Sequence, residues 1–369
     1  MDKKRKFNLL ILIPLILLLI IGLFMVYSSS RVWAGFNYND EFYYFKRQLI
    51  FIIIGLILLF LSSKINLNYI KKKSFMLLLI GFILLIVVLI PGIGCQVNGS
   101  RSWFKIGSFM IQPSEFVKII LVIYMASKLE KYYELTNKFI KTITVLLIPC
   151  VICFLFIMLQ PDFGSAIVML GAIIMMCILS KNKFKNYILI GGLAIFAFSL
   201  MIITSPYRSE RILSFLDPYN DPLGSGFQTI QSLYAIGPGG IIGKGIDSSF
   251  QKYFYLPEPQ TDIIFAIYAE DYGLIGCIIL LSLYGLLIYA LFNKCKMENS
   301  LFKSFLDVGI TSLIVIQVLI NLCVVVGLIP VTGITLPFMS YGVSSITMLL
   351  FSIGLIINKG DKNEYINVR

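Results

Sequence analysis

The chain has 369 residues, of which 58% are hydrophobic and only 14% charged, with no histidine and a formal net charge of +12. A soluble domain of that size needs a polar exterior that this composition does not supply. The alternating segments of about ten residues that mark a membrane β-barrel are absent, so the expected class is all-α: a polytopic membrane protein.

Apolar runs approach the length of about 20 residues that crosses a bilayer core. In chain order the predicted spans cover roughly 8–29, 48–64, 74–91, 114–128, 143–160, 163–180, 187–204, 264–293, 304–328 and 339–358, ten transmembrane helices in one integral domain over 1–369. With the N-terminus inside, 21 Lys and Arg fall on the inner side and nine on the outer side. That is the positive-inside pattern; it accounts for the net charge without nucleic acid and places both termini in the cytoplasm. The first span ends in Tyr27-Ser-Ser-Ser with no clear small-x-small site, so it is expected to be a retained anchor. The seven cysteines show no metal or disulfide spacing and most lie in apolar runs, where they act as small hydrophobes.

The outer side carries the substance. A loop at 92–113 holds Trp103 beside Arg101 and leads into Pro113-Ser114-Glu115, a predicted helix start with a capping oxygen and an acid in the first turn. Glu115 and Lys118 are three apart and share a helix face; they either form a salt bridge that lets two charges exist near lipid or position substrate on a cavity wall. Asp162, in the turn Gln160-Pro-Asp162, is expected as a helix cap or ion-pair partner, or in contact with substrate.

The largest outer loop, about 205–263, contains seven glycines between Gly224 and Gly245. A connection of this length in a compact protein is usually functional. It is expected to fold over a cavity open outward and to lipid. Outer cations are scarce under the charge bias, so Arg47, Arg101, Arg208, Arg211, Lys244 and Lys252 need a reason. They either pair with acids such as Glu210, Asp217, Asp221 and Asp247, or hold an anionic headgroup, for which the guanidinium fork suits a diphosphate.

At the end of this loop, Asp262 stands where an outside segment meets a long apolar run. Ionisable groups there are costly and usually persist for chemistry or transport, so Asp262 is the leading candidate for a catalytic base. A helix N-cap at Thr261 or Asp262 is the structural alternative. Glu258, Glu270 and Asp271 are nearby acids, and Asp271 is expected to pair with a basic residue within the bundle. Finally, 326–345 holds two prolines, three glycines and several hydroxyls, Ser340 among them, and reads as a re-entrant loop lining a cavity or as a Pro-kinked helix pair.

These residues resemble the SEDS family (shape, elongation, division and sporulation proteins) over nearly the whole chain. The likeness runs through Lys46-Arg47-Gln48, Asn98-Gly99…Trp103, Gln112-Pro-Ser-Glu115…Lys118, Gln160-Pro-Asp162-Phe-Gly, Ala235-Ile-Gly-Pro-Gly-Gly, Gln251-Lys252…Leu256-Pro-Glu258…Thr261-Asp262 and Pro330-Val-Thr-Gly-Ile-Thr-Leu-Pro-Phe-Met-Ser-Tyr-Gly. Pro257-Glu-Pro-Gln-Thr-Asp262 and Thr332-Gly-Ile-Thr-Leu-Pro resemble the FtsW and SpoVE branch more than the RodA branch. Val343 departs from a usual glycine and Ile263 from a usual phenylalanine.

The resemblance implies a ten-span peptidoglycan glycosyltransferase in the cell membrane, serving cell division or sporulation. It would polymerise lipid II (an undecaprenyl diphosphate-linked disaccharide pentapeptide) on the outer face, with a class B penicillin-binding protein and other division or sporulation membrane proteins as partners. Asp262 matches the family's essential acid. Glu115, Lys118, Glu258, Thr261, Ser340 and the outer cations are the candidate substrate contacts. No cofactor is demanded; a divalent cation, Mg or Mn, bound at Asp262 is left open. A lipid II flippase is an alternative, ranked below the enzyme because it needs a polar route to the inner leaflet whereas the inner loops are short and carry mostly Lys runs; a non-catalytic activator of the penicillin-binding protein ranks below both and is separated from an enzyme by activity of the isolated chain.

Overall fold

The structure, a computed structural model, describes residues 3–97, 99–133, 146–180, 213–224, 226–246, 248–253 and 258–358. The predicted span at 187–204, together with Arg208 and Arg211, lies outside the described residues. Among the described residues the helices are α1 (Lys3–Tyr38), α2 (Tyr43–Ser62), α3 (Leu67–Val87), α4 (Pro113–Lys131), α5 (Ile148–Leu159), α6 (Phe163–Ile178), α7 (Phe227–Gly239), α8 (Ile264–Lys296), α9 (Leu301–Val325) and α10 (Val343–Ile357). Among the described residues, Phe7–Tyr38, Tyr43–Ser62, Ile264–Lys296 and Leu301–Val325 are long and apolar enough to cross a membrane, and Ile148–Leu159, Phe163–Ile178 and Val343–Ile357 are shorter apolar helices. This is a multi-pass membrane protein.

Burial follows from the solvent. Ile13, Phe24, Ile83 and Ile278 point outward, whereas Gln48, Ser114, Asp307, Thr311 and Asn321 are fully or almost fully enclosed. Where lipid tails are as apolar as leucine, interior polar groups and close packing hold helices together. Charges inside the bundle are neutralised locally: Lys294 pairs with Glu298 at 2.8 Å, and Lys303 with Asp307, its ammonium also reaching the Ile356 carbonyl at 3.0 Å.

Two features depart from the sequence reading. The loop at 92–113 is not all irregular. It folds as an antiparallel sheet of β1 (Gly94–Val97), β2 (Ser100–Ile106) and β3 (Phe109–Ile111), so the fold is mostly rather than purely helical. Along β2, Ser102 is buried, Arg101 half-buried, and Lys105 and Ile106 exposed. The second departure is in α8, which is broken at Gly273 (φ 62°, ψ −161°) into 264–272 and 274–296.

The segment 326–342 contains no helix; its start is exposed at Val326 and Leu328, and its later part packs inside the protein, with Leu336, Phe338 and Met339 almost wholly buried. A kinked helix pair over these residues is therefore not what forms; the segment is non-helical, as a re-entrant loop would be. Non-helical backbone at membrane depth persists where protein surrounds it. Here α1 closes over it: a Cβ at Gly22 would lie 2.6 Å from the Met339 Cα and the Phe338 carbonyl oxygen, so only glycine permits this approach.

Candidate active site

Asp262 lies just before α8, in a turn closed by the Thr261 amide donating to the Glu258 carbonyl at 3.0 Å. Glu258 holds φ 46°, a conformation a non-glycine residue adopts only when its surroundings enforce it. The N-cap of α8 is Ile263, with no side-chain capping bond, so neither Thr261 nor Asp262 fills the capping role that the sequence allowed. The Asp262 carboxylate is left for other partners. Its Oδ1 lies 3.0 Å from the Thr261 hydroxyl, and Gln228 Nε2 of α7 donates to Oδ2 at 3.4 Å. The residue is 8% exposed.

The backbone beneath it is pinned. Asn321 of α9 donates to the Asp262 carbonyl at 2.6 Å and to the Ile334 carbonyl at 2.7 Å, joining the acid to the re-entrant segment. The Tyr341 amide donates to the Gln260 carbonyl at 2.8 Å. From α2, Gln48 Nε2 donates to the Ser340 carbonyl at 3.0 Å, while the Ser340 hydroxyl accepts from the Leu336 amide at 2.8 Å. The Arg47 guanidinium, one residue before Gln48 in α2, lies 4.3 Å from the Tyr43 ring centre and 5.2 Å from that of Phe109. Glu258, Thr261, Asp262, Ser340 and Arg47 thus belong to one interconnected neighbourhood.

The remaining candidates have partners of their own. Glu115 and Lys118 form a buried ion pair at 2.8 Å. Ser114 does not cap α4, whose first turn has Pro113 at the start and no side-chain cap; its hydroxyl donates instead to Asp162 Oδ2 at 3.0 Å. Asp162 caps α6 by accepting from the Ser165 amide at 3.1 Å, and it also accepts from Gln112 Nε2 at 2.7 Å. Arg101 donates to the Leu89 carbonyl at 3.4 Å. Lys244 lies over the Phe250 ring at 4.7 Å and 3.9 Å from Glu270 Oε1, on the wall of a cavity of about 320 Å³ shared with Tyr234 and Gln251.

Lys252 departs furthest from the outer rim of cations. It is 5% exposed and points inward to Asp271, the acid expected to pair within the bundle. Burial pulls its ammonium below the usual lysine range, and the Asp271 carboxylate opposes that pull.

Gln228 and Asn321 touch Asp262, yet the sequence reading did not single them out. Asn321 left a trace: with Gln317 it forms an amide pair four residues apart in an apolar run, hence on one helix face. Gln317 Nε2 donates to the Thr335 carbonyl at 3.1 Å, so both amides serve the re-entrant segment. For a cation, the described residues contain no group of three or more His, Cys, Asp or Glu. Mg is bound elsewhere by one or two carboxylates with water and substrate phosphates, a pattern that a lone Asp262 suits.

The family description "Cell cycle protein", FtsW/RodA/SpoVE, matches residues 8–365. The chain belongs to the FtsW/RodA/SpoVE (SEDS) family. Among curated members, it is 45% identical to the stage V sporulation protein E of Bacillus subtilis (strain 168), covering 98% of this chain and 99% of that protein. It is 39% identical to the probable peptidoglycan glycosyltransferase FtsW of Coxiella burnetii, over 94% of each chain. Among solved SEDS-like structures, a chain from work described as structural coordination of polymerization and crosslinking by a peptidoglycan synthase complex aligns with TM-score 0.72 and 31% identity, covering 92% of this chain and 95% of that one. The rod shape determining protein RodA of Thermus thermophilus aligns with TM-score 0.67 and 25% identity, over 94% of each.

Proposed function

We propose that this SEDS protein is a peptidoglycan glycosyltransferase that polymerises lipid II on the outer face of the cytoplasmic membrane, with Asp262 as general base. The observation that carries the reading is Asp262 itself: a nearly buried carboxylate, not spent on capping its helix, with its backbone bridged to the re-entrant segment by Asn321. The relatives named as glycosyltransferases support the reaction class.

In the reaction, an acceptor sugar hydroxyl attacks the anomeric carbon of the donor. The new glycosidic bond forms as the bond from that carbon to the diphosphate oxygen breaks. The proton passes to Asp262, and the lipid diphosphate leaves with the bonding electrons. A single displacement inverts that carbon, unlike the two-step route through two close carboxylates. A base within hydrogen-bond reach of the hydroxyl accelerates such a step by roughly 10²–10⁴-fold. Arg47, next to the Gln48 that holds the Ser340 carbonyl, is one proposed cation to meet the departing diphosphate; Arg101, Lys244, Arg208 and Arg211 are further candidates, as is the Glu115–Lys118 pair. A Mg or Mn ion held by Asp262 and the diphosphate would offset the charge on the leaving group.

The proposal extends to ten spans in one domain, a large outer loop at about 205–263 and both termini in the cytoplasm, which the 21 to nine division of cations supports. A class B penicillin-binding protein is the proposed partner, supported by the similarity to a chain of a synthase complex that couples polymerization to crosslinking.

The deciding experiment is Asp262→Asn in the purified protein with lipid II. The expected result is loss of glycan polymerisation with unchanged folding; a normal rate would remove Asp262 from this role.

A further inference from the structure

The break at Gly273 leaves 264–272 as little more than two helical turns, with Asp262 just before its first residue. A helix that short has little stability or fixed direction of its own, so contacts must set its orientation. The glycine turn of the outer loop supplies the backbone contacts. The Lys244 amide donates to the Glu270 carbonyl at 2.9 Å and the Gly245 amide to the Asp271 carbonyl at 3.0 Å. In return, the Leu274 amide donates to Gly240 at 2.9 Å and the Ile275 amide to Ile241 at 3.1 Å. The groups orphaned by the break are satisfied by the loop. A Cβ at Gly243 would sit 2.2 Å from the Asp271 carbonyl oxygen, so the turn has no room for a side chain there.

Side chains then fasten the segment at the same end. Glu270 accepts from the Phe250 amide at 2.9 Å and the Gln251 amide at 3.3 Å. Lys252 Nζ reaches Asp271 Oδ2 at 2.6 Å, the Ser28 hydroxyl of α1 at 2.7 Å and the Ile246 carbonyl at 3.0 Å. Three separate pieces of chain, α1, the outer loop and the broken helix, meet on one buried ammonium.

We infer that Lys252 and Asp271 are positioning residues for Asp262: their buried ion pair, tied to Ser28, anchors one end of the detached 264–272 segment and thereby aims the carboxylate at its other end. The inference rests on the glycosyltransferase reading for what the carboxylate does. Displacement of a reacting group by about 1 Å costs on the order of 10²-fold in rate, so a segment free to tilt loses turnover before it loses substrate affinity.

The test uses the full-length chain in lipid nanodiscs with its penicillin-binding partner, comparing wild type with Asp271→Asn, Lys252→Arg and Ser28→Ala. Lipid II polymerisation gives kcat and KM, and hydrogen exchange of backbone amides gives local order. Asp271→Asn is expected to lower kcat by at least about tenfold with KM within about twofold of wild type, and to raise exchange at 264–275 alone. Lys252→Arg keeps the charge and is expected to retain most of kcat; Ser28→Ala is expected to lose about threefold. A folded Asp271→Asn protein with wild-type kcat, a loss confined to KM, or exchange rising across the whole bundle would overturn the inference. Should Asp271→Asn fail to fold, Ser28→Ala decides, and an unchanged kcat there overturns it. If wild type itself makes no glycan, the glycosyltransferase reading fails, and the exchange pattern alone still decides whether the ion pair holds the segment.

Discussion

Asn321 donates one hydrogen bond to the Asp262 carbonyl and one to the Ile334 carbonyl, at 2.6 and 2.7 Å, so a single amide joins the outer loop to the re-entrant segment. Both acceptors are backbone groups, so an aspartate in its place offers neither bond. Asn321→Leu leaves two carbonyls without their donor, and each buried unsatisfied group costs about 1–3 kcal/mol. Polymerisation of lipid II by Asn321→Leu is expected to fall by about tenfold or more at unchanged protein yield, measured by gel analysis of glycan products. A rate equal to wild type would show that the bridge does not govern the acid.

The Arg47 guanidinium lies near two aromatic rings, 4.3 Å from the centre of Tyr43 and 5.2 Å from that of Phe109. A planar guanidinium can stack on such rings, whereas an ammonium on a flexible stem cannot. Arg47→Lys keeps the charge and is still expected to lower kcat/KM by about tenfold, roughly 1.4 kcal/mol of transition-state stabilisation. Steady-state kinetics with lipid II reads this directly.

Glu115 and Lys118 lie in contact and are nearly enclosed. Removing one partner leaves an uncompensated buried charge, at a cost of about 3–5 kcal/mol. Glu115→Gln is therefore expected to lower the thermal unfolding midpoint in detergent, and the double variant Glu115→Gln with Lys118→Met to recover much of the loss. Equal midpoints for the single variant and wild type would mean that the charge finds compensation elsewhere.

Gly22 and Gly285 form a matched pair for testing the contact between α1 and the re-entrant segment. A Cβ meets backbone 2.6 Å away at Gly22 and nothing within 4 Å at Gly285. Gly22→Val is expected to reduce both activity and the unfolding midpoint, and Gly285→Ala to change neither, with midpoint and polymerisation rate measured on the same preparations.

Removal of divalent cations with a chelator is expected to slow polymerisation, and Mg or Mn to restore it, because a lone carboxylate with a diphosphate suits such an ion. Full activity in chelator would leave charge neutralisation to the cationic side chains.

The helices at 48–64, 163–180 and 304–328 were legible because long uncharged runs have few other solutions in a membrane protein, and the structure places them at 43–62, 163–178 and 301–325. The i,i+3 spacing of Glu115 and Lys118 allowed the ion pair that the structure shows, and the turn Gln160-Pro-Asp162 allowed a cap, an ion pair or a substrate contact, of which the structure shows the cap. The sheet at 94–111 was hidden because three short strands carry little periodic signal. The break in α8 was hidden because a single glycine within a long predicted span is tolerated in a helix, and the glycine turn at 239–245 that completes the backbone bonding of the break is remote in sequence. Lys252 was assigned to the outer rim because sequence shows a charge but not its direction. Asn321 and Gln228 reach Asp262 across long separations, which no local pattern reports.

The glycine turn and the interrupted helix complete each other's backbone bonding, so neither is a module in its own right. A hybrid protein that borrows the outer loop of one relative and the membrane helices of another would inherit half of a joint. Changes in one partner must be matched by changes in the other, and transplants that cut between residues 245 and 264 should fail where transplants that carry 239–275 as one block succeed.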